Sequence, residues 1–160
     1  MKPKIIKYRG GQTKSEEWRN ETGRLHRLDG PAGRYWYRNG QMSSEMWWIN
    51  GERHRLDGPA QRRWYENGQL RREEWCINDQ SHRLDGPALH EWYEDGQLKW
   101  DVWWVNGRLH RLDGPAGRSW YEDGQLEIEV WFINGVKYET KAEFLAAVDL
   151  YKANEIAELF

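Results

Sequence analysis

Apolar residues along this chain come in short clusters separated by charged and turn-forming residues. The clusters return with a period of about 28 residues from Leu25 to Val136, self-similarity of the kind that marks an array of repeats and governs every local reading. Each unit holds three blocks. The first is His-Arg-Leu-Asp-Gly-Pro-Ala, at His26 to Ala32, His54 to Ala60, His82 to Ala88 and His110 to Ala116. The second is a Trp-Tyr strand ending in Asn-Gly or Asp-Gly, at Trp36 to Gly40, Trp64 to Gly68, Trp92 to Gly96 and Trp120 to Gly124. The third runs Trp-aromatic-Ile-Asn, at Trp47 to Asn50, Trp75 to Asn78, Trp103 to Asn106 and Trp131 to Asn134, with Cys76 and Val105 as departures.

Asn-Gly or Asp-Gly between aromatic and β-branched residues is a strong hairpin signal. A two-residue type I′ turn at Asn67-Gly68 places Tyr65 opposite Leu70 and Arg62 opposite Glu73. The other copies give Tyr37/Met42, Tyr93/Leu98 and Tyr121/Leu126, and the base-acid pairs Arg34/Glu45, His90/Asp101 and Arg118/Glu129. Such pairs suit cross-strand neighbours. By alternation, Ala60, Trp64, Trp75 and Ile77 share one face of the sheet, and Tyr65, Leu70 and Cys76 the other.

A second turn falls at Asn50-Gly51, Asn78-Asp79, Asn106-Gly107 and Asn134-Gly135. Identical units can follow one another in one orientation only if the chain reverses an even number of times per unit. The two turns already supply two reversals, so Leu-Asp-Gly-Pro is expected to be a bend within a strand. Asp29, Asp57, Asp85 and Asp113 would accept from backbone N–H groups just beyond them. Gly30, Gly58, Gly86 and Gly114 would take an unusual φ, and Pro31, Pro59, Pro87 and Pro115 would remove a ladder donor.

The fold predicted is an all-β repeat protein: an elongated antiparallel hairpin meander shaped as a trough or half-pipe. Each repeat adds two strands, about 9.5 Å at the usual spacing. Residues 1–25 read as a degenerate capping repeat, since Tyr8, Gly11, Gln12, Glu16 and Trp18 match Tyr37, Gly40, Gln41, Glu45 and Trp47. Residues 26–138 form four tandem repeats, and 139–160 a helical cap. There Thr140-Lys141-Ala142-Glu143 is a capping box, Phe144, Val148 and Tyr151 recur at helical spacing, and Asn154 marks a second short turn.

Composition changes this picture in one respect. Leu, Ile, Val and Phe together number only 28 of 160 residues, but 12 Trp and 8 Tyr supply apolar area, and the net charge is only −2. Disorder is therefore excluded. The neutral balance gives no reason to expect nucleic acid or an anionic membrane as partner. The start lacks an apolar leader and no stretch is long enough to span a bilayer, so a cytoplasmic location is expected. Cys76, the single cysteine, reads as a small hydrophobe.

His, Arg and Asp in each first block raise the question of catalysis or metal binding. Copies lie about 9 to 10 Å apart, whereas ligands must converge within about 2 to 2.5 Å of one ion. Within a copy, His54 and Arg55 point to opposite faces. No enzyme, cofactor or metal is expected. The structural reading has Asp at the bend, Arg stacked on a Trp or paired with an acid, and His bonded to a turn. The more variable aromatics, Trp48, Trp100, Trp104 and Phe132, with Arg53, Arg55, Arg83 and Arg111, are the candidate contact surface.

Tyr-Glu-Asn-Gly-Gln-Leu alternating with Trp-Trp-Ile-Asn-Gly resembles the MORN-repeat variant family, including antitoxin-like proteins of bacteria. The Asn-Gly…His-Arg-x-Asp-Gly-Pro-Ala form looks like that of repeat proteins in bacteria, phages and giant viruses. The resemblance covers Tyr8 to Tyr138, with a longer period and Trp where those repeats favour Gly and Tyr. It implies successive hairpins in a groove-shaped sheet acting as a scaffold or binding surface. The function expected is non-enzymatic binding of another protein, as an antitoxin, immunity protein or phage-encoded inhibitor. The alternative is a module for nucleotides, single-stranded nucleic acid or glycans through Trp and Arg ladders. Repeat edges also offer a route to homo-oligomers.

Overall fold

A computed structural model describes residues 2–157. The chain opens with β1 (Lys4–Lys7) and β2 (Thr13–Glu17). Each of the next three repeats adds four strands. They are β3 (Gly33–Trp36), β4 (Met42–Met46), β5 (Trp48–Ile49) and β6 (Glu52–Arg53); then β7 (Gln61–Trp64), β8 (Leu70–Glu74), β9 (Cys76–Ile77) and β10 (Gln80–Ser81); then β11 (Leu89–Trp92), β12 (Leu98–Val102), β13 (Trp104–Val105) and β14 (Arg108–Leu109). The last repeat has β15 (Gly117–Trp120), a long β16 (Leu126–Ile133) and β17 (Val136–Tyr138), and α1 (Lys141–Ala157) follows. The first two strands of every repeat join one open 11-stranded antiparallel sheet. The predicted hairpin meander with a C-terminal helix is therefore the observed architecture.

The two kinds of turn share letters but not geometry. At Asn50-Gly51 both residues are left-handed, with φ 53° and 88°, and Ile49 pairs with Glu52 across a two-residue loop. This is the type I′ geometry expected at Asn67-Gly68, and here it builds the small hairpins β5–β6, β9–β10 and β13–β14 outside the main sheet. At Asn67-Gly68 only Gly68 is left-handed. Gly68 N–H closes a turn on the Tyr65 carbonyl (3.0 Å), and Tyr65 N–H bonds the Gln69 carbonyl (2.9 Å). The loop therefore has three residues, with glycine in the αL position.

That extra loop residue corrects the predicted register. Trp64, not Tyr65, stands opposite Leu70, so Leu70 shares a face with Trp64, and Tyr37, Tyr93 and Tyr121 likewise give way to Trp36, Trp92 and Trp120. A bulge at Arg71 restores the count, and Arg62 faces Glu73 as expected, with Nε 2.7 Å from the carboxylate. The equivalent pairs Arg34/Glu45, His90/Asp101 and Arg118/Glu129 also hold. Asn67 sits in this turn for its side chain, which caps a backbone donor two residues on. Its Oδ1 accepts the Gln69 N–H at 2.8 Å, as the Asp95 carboxylate accepts the Gln97 N–H at 2.9 Å. Asp and Asn are interchangeable there. In the three small hairpins and the β16–β17 turn, where the backbone itself must be left-handed, the first residue is Asn every time.

Released from the ladder, the tyrosines tie each repeat to the next. The hydroxyls of Tyr8, Tyr37, Tyr65 and Tyr93 donate to the carbonyls of Trp36, Trp64, Trp92 and Trp120 at 2.7–2.9 Å. Packing is thin. The fully buried apolar positions along the array are small, namely Ala32, Ala60, Ala88, Ala116 and Cys76, while the Trp rings are half-buried. Burial pushes the Cys76 thiol up to about 12, which leaves it unreactive. Among the described residues, the one cluster with large side chains forms at the C-terminal end, from Ile133, Phe144 and Val148.

The capping box is present, with each partner satisfying a backbone donor of the other. Glu143 N–H donates to Thr140 Oγ1 at 3.2 Å, and Thr140 N–H donates to the Glu143 carboxylate at 3.2 Å. Phe144 and Val148 are buried against Leu112, Trp131 and Tyr138. Asn154 starts no second turn, because α1 runs unbroken through it. The last three residues of the predicted cap, 158–160, lie outside the described residues.

Candidate functional site: the row of repeated loops

One tryptophan holds both ends of each His-Arg-Leu-Asp-Gly-Pro-Ala block. Trp47 N–H donates to the Ala60 carbonyl (2.8 Å), and its carbonyl accepts the His54 N–H (3.2 Å). The ladder therefore closes at His54 and Ala60, and the intervening Arg55–Pro59 leave it as a five-residue loop. Trp18, Trp75 and Trp103 make the same two bonds around the other copies. Chain direction is the same on either side of the loop, because β6 is antiparallel to β5 and β7 to β4. The expectation that this block is no third reversal holds. It is a looped excursion rather than a bend.

Arginine organises the loop. The Arg55 guanidinium lies 4.0 Å from the Trp47 ring centre, with Nε on Asp57 Oδ1 at 2.8 Å and Nη1 3.4 Å from the Pro59 carbonyl. Arg27, Arg83 and Arg111 stack on Trp18, Trp75 and Trp103 at 4.2, 4.1 and 3.7 Å, and each bonds the aspartate two residues on. The roles foreseen for Asp and Gly need correcting here. The aspartates bond the arginine, and this contact holds the carboxyls of Asp29, Asp57, Asp85 and Asp113 below the usual range. Gly30, Gly58, Gly86 and Gly114 have ordinary φ, but a Cβ there would stand 2.9–3.0 Å from the stacked guanidinium carbon. Glycine leaves the space in which arginine folds back over its own loop.

Histidine and the arginine backbone reach into the next repeat. The N–H of Asn50, Asn106 and Asn134 donates to Nδ1 of His26, His82 and His110 at 3.0–3.1 Å. In the second copy His54 Nδ1 lies 2.7 Å from Asn78 Oδ1. The N–H of Arg27, Arg55, Arg83 and Arg111 donates to the carbonyls of Trp48, Cys76, Trp104 and Phe132 at 3.0–3.1 Å. Each loop thus fastens itself to its own strand through Trp and to the following small hairpin through His and Arg. The groups that resembled catalytic residues are engaged in the fold.

Of the candidate contact residues, Trp48 and Trp104 occupy equivalent, half-buried positions in the small hairpins β5–β6 and β13–β14, Phe132 takes the same place in β16, and Trp100 lies in β12 of the main sheet and is 37% exposed. Arg53 is held by Glu74 (3.1 Å) and Asp79 (3.0 Å). Arg55, Arg83 and Arg111 are the stacked arginines, and their guanidinium groups cover one face of Trp47, Trp75 and Trp103.

Sequence reasoning passed over the leucines. Leu28, Leu56 and Leu84 are 78–79% exposed at the loop tips, each beside an outward aspartate. A leucine kept in every copy of an otherwise polar turn was the available signal. Between successive loops lie clefts of about 550, 610 and 780 Å³, walled by the Arg, Leu and Asp of one loop and the His, Arg and Leu of the next. The fourth leucine, Leu112, differs: it packs against α1.

The third repeat also differs. His90 and Asp101 replace the Arg/Glu pair, His90 lies between Trp75 and Trp92, and His90 Nδ1 and Asp101 Oδ1 are buried without a partner. Burial lowers the imidazole's proton affinity and pushes the Asp101 carboxyl up to about 6.

Among known families, the profile described as MORN repeat variant matches residues 60–74. No curated protein matches the chain. The matched stretch covers β7, its three-residue loop and β8, the main-sheet hairpin of one repeat. That hairpin is similar to those of MORN repeats, which generally serve as protein- or membrane-binding modules.

Proposed function

We propose that the chain is a non-enzymatic binding module that holds another protein, in the manner of an antitoxin, immunity factor or inhibitor. The observation that carries this reading is the division of labour within each loop. His, Arg, Gly and Pro are committed to the fold and aspartate pairs with the arginine while staying exposed, whereas leucine stands in solvent at the same place three times over. An apolar residue exposed at the same place in successive repeats lines up into a row, and exposed apolar surface rimmed by polar residues is a mark of interaction sites. The similarity of residues 60–74 to a binding repeat supports the same reading. Stacking of bases or sugars on the Trp ladder is less favoured, because guanidinium groups already lie 3.7–4.2 Å over Trp18, Trp47, Trp75 and Trp103.

The test is affinity capture from the source cells, paired with a Trp-fluorescence titration against nucleotides and oligosaccharides. The expected result is one protein recovered at stoichiometric level and flat fluorescence. Recovery of no protein, together with quenching by a member of the panel, overturns the proposal. An inhibitor or antitoxin role further requires that the recovered protein lose its activity when the chain is added.

A further inference from the structure

The helix α1 shows what the loop row accepts. It straddles the fourth loop: Phe144 and Leu145 line the cleft on the far side, Val148 is buried in the cluster against which Leu112 packs, and Tyr151 lines the cleft between the third and fourth loops. The Tyr151 ring lies 5.8 Å from that of His110. Phe144 and Tyr151 are seven residues apart, which on a helix is a rise of about 10.5 Å. The loops repeat every two strands, about 9.5 Å. Two helical turns therefore match one repeat, and a helix lying along the row meets a new cleft with every heptad.

The preceding three loops present the same surface with their leucines exposed among the described residues. Leu28, Leu56 and Leu84 stand where Leu112 stands, with clefts on either side. Their rim is acidic, because Asp29, Asp57 and Asp85 point outward with 83–84% of each side chain exposed. In the covered cleft, Lys141 of α1 lies with Asp113 and Glu129. We infer that loops one to three bind an amphipathic helix of a partner protein, with an aromatic or large aliphatic residue every seven positions and basic residues flanking them. It would lie along the row of loops. The inference rests on the protein-binding reading and names the surface and the class of partner.

The test uses the full chain and a synthetic 21-residue helical peptide, about 31 Å long, with Phe at heptad positions and flanking Lys. Its binding is followed by fluorescence anisotropy. Controls are a peptide of the same composition with Phe every five positions, and the Leu28→Ser, Leu56→Ser, Leu84→Ser triple variant, shown by circular dichroism to retain its fold. The heptad peptide is expected to bind the wild type about tenfold or more tighter than it binds the triple variant, and tighter than the control peptide by a similar factor. Equal binding in either comparison, or no binding to the wild type, overturns the inference. A dimer seen by light scattering and lost in the triple variant also overturns it, in favour of a second copy on this face. If affinity capture yields a protein that the triple variant retains equally well, the inference fails while the protein-binding function stands. If neither peptide nor protein binds, both fail.

Discussion

The four loops have one sequence and two situations. In all four, arginine lies over a tryptophan, aspartate pairs with that arginine and alanine is buried. The leucine is exposed in the first three and covered in the fourth, where α1 takes up the end of the array. Trp131 shows why a cover is needed there. It occupies the position of Trp47, Trp75 and Trp103, but no fifth loop follows to place an arginine over its ring. Phe144 packs at 4.9 Å instead, and Lys141 lies 6.0 Å away. Local sequence decides the loop's internal bonds, and whatever follows decides the fate of its leucine.

The largest effect should separate these two situations. Phe144 is 1% exposed. Phe144→Ala is therefore expected to cost about 3–5 kcal/mol in urea unfolding. Leu56→Ser at an open loop should stay within about 0.5 kcal/mol. Next comes the part common to all loops. Arg83→Ala removes a stack, an ion pair and a carbonyl contact. The same unfolding measurement should show a loss of about 2 kcal/mol for that substitution. Asp85→Asn, at an outward side chain, should change the midpoint very little.

A smaller effect concerns the one repeat whose strand pair departs from Arg/Glu. The Asp101 carboxyl is near 6 in the folded chain against 3.8 unfolded, so the folded state holds the proton more tightly. Its contribution is fully present below pH 3.8 and is lost as pH rises through about 6. Asp101→Asn should accordingly raise stability by about 1–2 kcal/mol at about pH 7.5, with the gain vanishing near pH 4. Thermal melts of both proteins across that range check the sign.

Much of the fold was legible because the repeat multiplies each signal by four. The base-acid pairs located the hairpin, and counting reversals excluded a third turn at Leu-Asp-Gly-Pro. The Tyr65/Leu70 pairing failed because Asn-Gly encodes two turns. One uses asparagine's backbone and the other its side chain, and only the loop length tells them apart. The stacking of arginine on tryptophan was foreseen as one of two roles, and the structure uses both at once. Glycine's role was misjudged because the close approach of a long side chain from earlier in the loop leaves no trace in local turn chemistry. The exposed leucines were hidden inside a motif whose polar residues drew attention, and nothing in the motif itself says that three copies stay open.

The most direct test of the covered-versus-open distinction is a pair of thermal unfolding curves, for Leu84→Ser and Leu112→Ser, in the same sequence context. Leu84→Ser is expected to melt within about 1 °C of the wild type. Leu112→Ser, which loses its packing against α1, is expected to melt about 4–10 °C lower. Equal shifts for the two substitutions, in either direction, would contradict the account.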